Sequence, residues 1–379
     1  MLMKHLLLAL SSFILLHSSF SAQPNILVIL VDDMGFSDIG CYGSEIPTPN
    51  LDALAAGGVR FTQFYNTARC STTRAALMTG LYPHQAGMGY LDGLKLPESK
   101  GTHAKLDDRC VTMAEVLGAA GYHTSIVGKW HLGDVAKFHP KQRGFDEYFG
   151  HIGGSHDYFA SKDGGKGGTY ALEGWDGKPF EFANDYLTDI NGRAACEFIR
   201  KGDAAKPWFL YVAFNAPHTP SQATEKYLKR FAHIADEQRR TYAAMVSALD
   251  DAVGAILAEV KAQGAEENTL IFFLSDNGGP LAQTADNTPL RGGKHQDYEG
   301  GIRVPFLVCW PGKLKAGESQ AVVSSLDILP TALAASALLH LTSKTGLRAT
   351  RVVVNDLLRD AFRGRLEIGE ITHVSLGAI

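Results

Sequence analysis

Cysteine is scarce and scattered in this chain. Cys41, Cys70, Cys110, Cys196 and Cys309 are the five among 379 residues, and no two form a CxxC pair. That spacing excludes zinc-ribbon and thioredoxin-like redox motifs, and in an exported protein an odd count leaves at least one thiol to a fate other than a disulfide. Positive charge is not in excess either. A formal net charge of −4 supplies no broad cationic field, which argues against nucleic acid and anionic membrane surfaces as partners. An anionic substrate must therefore be held by local cations. No internal repeat is present, and beyond the N-terminus no apolar run is long enough to span a bilayer. What remains is ordinary globular composition, 45% hydrophobic and 20% charged, in a length that suits one large core or a large domain with a small one.

At the N-terminus Lys4 precedes an apolar run over residues 6–16, followed by the small residues Ser18, Ser19, Ser21 and Ala22. This is the layout of a cleaved signal peptide. We expect residues 1–22 to be removed, a mature chain from near Gln23, and a periplasmic or secreted protein without a stable membrane span.

Apolar, β-branched runs over residues 26–31, 124–127, 208–214, 270–274 and 304–308 read as buried parallel strands. Helical patterns alternate with them. Thr48-Pro49 starts one helix and Gly57-Gly58 stops it, proline being suited to the first helical position. Thr112 and Glu115 form a capping-box pattern before a second helix that ends at Gly121. Met245, Val246, Leu249, Val253, Ile256 and Leu257 recur at helical spacing in a third. The alternation predicts an α/β sandwich. Residues 162–178, rich in glycine and charge, read as a surface loop.

Ligands of an open α/β sheet gather at the carboxyl ends of its strands, and here the residues just past the apolar runs are polar. Asp32-Asp33 follow the first, Lys129-Trp130-His131 the second, Pro217-His218 the third and Ser275-Asp276-Asn277 the fourth. Adjacent carboxylates repel unless a cation lies between them, and an all-oxygen set suits calcium or magnesium. The absence of cysteine or clustered histidine at those strand ends argues against zinc. Cys70-Ser71-Thr72-Thr73-Arg74 precedes an apolar stretch that stops at Gly80, so Cys70 is predicted at a helix N-terminus with Arg74 on the same face. A helix start and a guanidinium favour negative charge there. From the pattern alone, a packed cysteine beside a solvated arginine is the better reading, and only context can overturn it.

Taken together, the motifs resemble type I sulfatases of the alkaline phosphatase superfamily. The resemblance is carried by residues 24–35, the block 66–88 with Cys70 and Arg74, Gly128-Lys129-Trp130-His131-Leu132-Gly133, Asn215-Ala216-Pro217-His218, Ser275-Asp276-Asn277-Gly278, Arg291-Gly292-Gly293-Lys294 and the segment 298–305. It runs in family order from about residue 24 to 335, and it implies an alkaline-phosphatase-like sandwich with a large, mainly parallel sheet flanked by helices.

For the site, the resemblance implies that a formylglycine-generating enzyme oxidises Cys70 to formylglycine, whose hydrate is the nucleophile. It makes Asp32, Asp33, Asp276 and Asn277 the ligands of Ca2+, with Mg2+ as the alternative, and Arg74 the residue that steadies the hydrate. Lys129 and Lys294 match sulfate-binding lysines. His218 matches the general acid for the leaving alcohol, and His131 matches the partner of the formylglycine hydroxyl that helps expel sulfate. Ser155-His156-Asp157 is similar to a substrate-binding segment, although a loop of hydrogen-bonding residues fits as well. His84 reads as structural. The implied substrate is a sulfated carbohydrate or aryl sulfate ester.

Two features depart from the family pattern. Thr72 stands where the Cys-x-Pro-x-Arg signature has proline, which bears on conversion of Cys70. Residues 336–379 do not resemble the usual small C-terminal domain, and we expect a truncated or diverged tail after a catalytic domain over 23–335. Two other readings therefore stand beside sulfate ester hydrolysis: a phosphate or phosphonate monoester hydrolase of the same fold, and a non-catalytic metal-binding protein.

Overall fold

The computed structural model describes residues 23–89, 105–159, 171–336 and 338. The predicted signal peptide lies outside these residues, as do most of the tail and part of the 162–178 loop.

The predicted strands form, four of them longer than their apolar runs, namely β1 (Asn25–Asp32), β4 (His123–Lys129), β6 (Trp208–Pro217) and β7 (Thr269–Ser275), and one shorter, β8 (Phe306–Cys309). Shorter strands complete the set: β2 (Val59–Phe61), β3 (Phe64–Tyr65), β5 (Glu147–His151), β9 (Gly317–Ser319) and β10 (Val323–Ser324). Eight of the strands join one sheet in the order β5-β4-β6-β1-β7-β8-β2-β9. From β5 to β7 all neighbours are parallel. The run over 304–308, expected to be parallel, is instead antiparallel to β7 and to β2. The chain leaving β7 stays at the carboxyl edge, where it builds the site, so the next strand can only run back. A parallel return would need a crossover.

Helices cover both faces. The three expected from sequence are α1 (Pro49–Gly57), α3 (Met113–Ala119) and α6 (Glu237–Ala262), and the Cys70 helix is α2 (Cys70–Thr79). The others are α4 (Leu187–Lys201), α5 (Glu225–Leu228), α7 (Glu299–Ile302) and α8 (Ile328–Ala335). The Thr112–Glu115 capping box forms on α3. Every residue of β1 is buried, because alternate side chains enter two separate cores. Leu27, Ile29 and Val31 pack with α1, α4 and α6. Ile26, Val28 and Leu30 pack with α2, α3 and α8. Such two-sided burial explains why the run is continuously apolar rather than alternating. Among the described residues no helix is long and apolar enough to cross a membrane.

Candidate active site

The carboxyl ends of the central strands converge as the sequence predicts. Val31 pairs with Ser275, and Asp32 with Pro217, which sets Asp32-Asp33, Asp276-Asn277 and His218 side by side. Ser275 braces the two acidic turns: its hydroxyl accepts from the Met34 N–H at 3.1 Å and donates to the Asn277 carbonyl at 2.8 Å. The Asp33 N–H donates to Asp276 Oδ1 at 3.2 Å. Gly278 must be glycine for this turn to close, since a β-carbon there would lie 1.7 Å from the Gly300 carbonyl oxygen.

Cys70 begins α2, and all ten residues of that helix are buried. Its Sγ lies 3.4 Å from His131 Nδ1. Thr72 is accommodated in the first turn, its hydroxyl donating to the Arg69 carbonyl at 2.9 Å. One turn on, Arg74 is fully buried and reaches inward. Its Nε and Nη2 donate to Asp276 Oδ2 at 3.1 and 2.8 Å, its Nη1 to the Lys129 carbonyl at 3.1 Å, and Asp32 Oδ2 lies 3.4 Å from Nη2. Lys129, fully buried at the end of β4, pairs with Asp32 Oδ2. Lys294 comes from the loop after β7, fixed by its N–H to the Gly279 carbonyl, and its ammonium lies 2.7 Å from Asp33 Oδ1. His218 Nε2 is 3.7 Å from Asp33 Oδ2, while its Nδ1 is 2.7 Å from the Thr219 carbonyl and so carries the proton.

The structure thus gathers Asp32, Asp33, Cys70, Arg74, Lys129, His131, His218, Asp276, Asn277 and Lys294 into one cleft. Ser155 sits nearby, in the loop whose Gly154 lies against the His131 ring, and no hydrogen bond joins it to these residues among those described. Sequence reasoning missed Tyr242. Its hydroxyl lies 3.2 Å from the Asp33 carbonyl and 2.8 Å from Asp38 Oδ2, although the helical spacing of α6 marks it only as core. All five cysteines are free thiols. Cys70, which comes from a helix start rather than a strand end, joins the carboxylates: Cys70, Asp32 and Asp276 each offer a ligand atom within 4.8 Å of the others.

Burial governs the electrostatics. It opposes ionisation of Asp32, but the charges of Lys129, His218 and Arg74 outweigh it and hold this carboxyl far below the usual range. For Asp276 burial prevails, reinforced by the charge of Asp32, and its carboxyl is pushed up to about 7. Burial pushes the Cys70 thiol up, and burial followed by Lys129 and Arg74 holds His131 well below its ordinary value. The imidazole is therefore neutral and able to accept a proton. Burial opposes the charge on Lys294, but Asp33 and Asp32 keep it firmly cationic.

These residues suit a hard cation. Asp32 Oδ1 and Asn277 Oδ1 are buried acceptors without a hydrogen-bond partner, and together with Asp33 and Asp276 they form an oxygen donor set of the kind calcium prefers. Burial, reinforced by the charge of Asp32, biases Asp276 toward its protonated form, and a cation among these oxygens would favour the ionised one.

The family model described as Sulfatase matches residues 24–337. The chain belongs to the sulfatase family. Among its curated relatives, arylsulfatase J of Mus musculus is 37% identical over 316 residues, covering 82% of this chain and 52% of that one. N-acetylgalactosamine-6-sulfatase of Canis lupus familiaris is 36% identical over 362 residues, 88% of this chain and 66% of the relative. The chain spans between about half and two thirds of the length of these relatives. A crystal structure of Ps i-CgsB in complex with k-i-k-neocarrahexaose is similar with a TM-score of 0.76 at 39% identity, over 83% of this chain and 72% of that one.

Proposed function

We propose that this member of the sulfatase family hydrolyses sulfate esters of carbohydrates or aryl alcohols and releases inorganic sulfate. The observation that carries the reading is the contact of Cys70 Sγ with His131 Nδ1 at 3.4 Å, in a cleft where Arg74, Lys129 and Lys294 face buried carboxylates. Relatives named as sulfatases support the reaction class, and the relative solved with a neocarrahexaose supports a carbohydrate chain as carrier of the ester. In our reading, Cys70 is matured by a formylglycine-generating enzyme to an aldehyde whose hydrate supplies the nucleophilic hydroxyl. Asp32, Asp33, Asp276 and Asn277 would hold calcium, which neutralises anionic oxygens of the ester. We further read the chain as exported to the periplasm or the medium.

The chain's own groups then divide the work. Lys129 and Lys294 give up part of their pairing with Asp32 and Asp33 to hold the sulfate oxygens, so their charge is set before the substrate arrives. His131, neutral and at the nucleophile, accepts the hydroxyl proton. His218 stands at the rim with Nδ1–H held by the Thr219 carbonyl. Its Nε2, 3.7 Å from Asp33 Oδ2, must first take up a proton, which burial opposes and the charges of Asp32 and Asp33 favour, before it can pass one to the departing alcohol oxygen. Arg74 does not reach the bulk solvent. It fixes Asp276 and the Lys129 carbonyl and keeps positive potential under Cys70.

The test combines a mass with an activity. Protein made together with a formylglycine-generating enzyme is digested, and the Cys70 peptide is weighed. Nitrophenyl sulfate and nitrophenyl phosphate hydrolysis are then followed with calcium, for this chain and for Cys70→Ala. We expect the formylglycine mass, preference for sulfate, and a loss of about 10⁴-fold or more in the variant. A retained thiol without turnover sinks the reading in favour of a non-catalytic protein, and preference for phosphate sinks it in favour of a phosphomonoesterase.

A further inference from the structure

The rim of the cleft beside Lys294 carries cationic groups that the reaction above does not use. Arg69 immediately precedes Cys70 and is half-buried. Among the described residues it is the arginine whose guanidinium makes no hydrogen bond or ion pair. The other described arginines all donate to a carboxylate, carbonyl or hydroxyl oxygen. In a chain with a net charge of −4, an arginine without a partner is conspicuous, because long cationic side chains settle readily on nearby acids.

His295 lies beside it. Its N–H donates to the Ala68 carbonyl at 3.0 Å, which ties the residue after Lys294 to the residue before Arg69. His295 is exposed and has a φ of 72°, a left-handed conformation uncommon for a residue with a β-carbon. Asp33 and His131, both in the cleft, share such a φ, at 69° and 57°. Left-handed backbone gathered at one cleft is a pointer to use. Burial first, then the charges of Arg69 and Lys294, lower the pKa of the His295 ring, with Asp33 opposing them, so the ring shares its surroundings with the free guanidinium and with groups that meet the ester. Further along the rim, Arg291 stacks 3.9 Å above the ring of Tyr298, which is itself 45% exposed. An exposed ring and cations around one opening suit the faces and oxyanions of a charged sugar chain.

We propose that Arg69 and His295 form a second anion subsite at the mouth of the cleft, which takes a sulfate on the sugar next to the one whose ester is cleaved. The substrate class is then a carbohydrate carrying sulfate on neighbouring units. This rests on the sulfate-ester reading above and adds a specificity that the cleft alone does not confer. The Arg69 fork matches a tetrahedral oxyanion through parallel N–H donors, and His295 supplies a further N–H.

Calorimetric binding to the calcium-loaded Cys70→Ala chain tests it without turnover. The probes are a disaccharide with a single N-acetylgalactosamine 6-sulfate, the same disaccharide with a second sulfate on the neighbouring sugar, and one with a uronic acid in that place. We expect the disulfated probe to bind about tenfold more tightly than the monosulfated one. Adding Arg69→Ala should abolish that ratio, Arg69→Lys should keep part of it, and His295→Ala should reduce it. Equal affinity for the first two probes would overturn the proposal, as would Arg69→Ala weakening both alike, or a gain confined to the uronic acid. Nitrophenyl sulfate turnover by the unsubstituted, matured chain reports on the sulfatase reading alone, so a failure of that reading is seen separately from a failure of the subsite.

Discussion

Asp38 and Asp32 are both fully buried carboxylates facing an arginine, and the Tyr242 hydroxyl ties Asp38 to the carbonyl of Asp33, the residue after Asp32. Around Asp38 every oxygen is used: Oδ1 accepts from Arg239 Nη1 at 2.7 Å, and Oδ2 from Tyr242 and from the N–H groups of Gly35 and Asp286 at 2.8 to 3.0 Å. Around Asp32 the pairing is lopsided. Oδ2 meets Lys129 and Arg74, while Oδ1 and the nearby Asn277 Oδ1 accept nothing. A buried acceptor left without a donor costs roughly 1–3 kcal/mol, which a purely structural cluster would be expected to shed. The Asp38 cluster is closed and holds the acidic turn to α6. The Asp32 cluster is open, and its spare oxygens point to a partner from outside the chain.

Removing one cation from each cluster breaks the comparison most forcefully. Lys129→Met and Arg239→Met each strand a buried carboxylate, and each should lower the unfolding free energy by about 3–5 kcal/mol in calcium-free buffer. Calcium distinguishes them. It should restore much of the loss in Lys129→Met, where it can take over the neutralisation of Asp32, and leave Arg239→Met as weak as before. Urea unfolding with and without calcium reads both, and equal recovery in the two variants would show that the clusters do not differ as claimed.

A smaller effect sharpens the same contrast in the unsubstituted chain. Calcium at about a hundred times its dissociation constant should stabilise the fold by about 2.7 kcal/mol, seen as a rise in Tm. Asn277→Leu, which removes an open oxygen, should shrink that rise, whereas Asp38→Asn should lower Tm but keep the calcium increment. An unchanged increment in Asn277→Leu would remove this residue from the donor set.

The open cluster was largely legible from sequence because its parts sit where a periodic pattern stops. Asp32-Asp33 and Asp276-Asn277 interrupt runs that are apolar on both faces, and Lys129 and His218 do the same. The closed cluster was not legible. Asp38 lies in a loop, and Tyr242 and Arg239 read as ordinary positions of an amphipathic helix, so only the packing of α6 on the acidic turn reveals them. Strand β5 was missed because Gly150 and His151 break its apolar run, and the direction of β8 depends on where the preceding loop travels, which periodicity does not record. Arg69 and His295 are hidden for another reason: an unpaired cation looks the same in sequence as a paired one.

The gentlest probe of the open cluster is the pH dependence of calcium affinity. The Asp276 carboxyl is pushed up to about 7 by burial and by the charge of Asp32, and a proton and calcium compete for its oxygens. Above about pH 7 the group is already ionised, so affinity should be level. Below that value each pH unit should weaken binding by up to tenfold, or about 1.4 kcal/mol. Asp32 adds no slope there, because its burial is opposed by the permanent charges of Lys129 and Arg74, which hold it far lower. His131 and His218 are both held below their ordinary value, burial being the largest cause, so neither brings a competing positive charge near neutrality. Calorimetry in two buffers of different ionisation heat should find close to one proton released per calcium near pH 6 and almost none near pH 8, on the order of the pKa above. A level affinity across that range would mean that the spare proton does not reside on Asp276. The two hydrogen bonds from Arg74 would then be what keeps Asp276 ionised throughout, and the contrast with Asp38 would rest on the open oxygens of Asp32 and Asn277 alone.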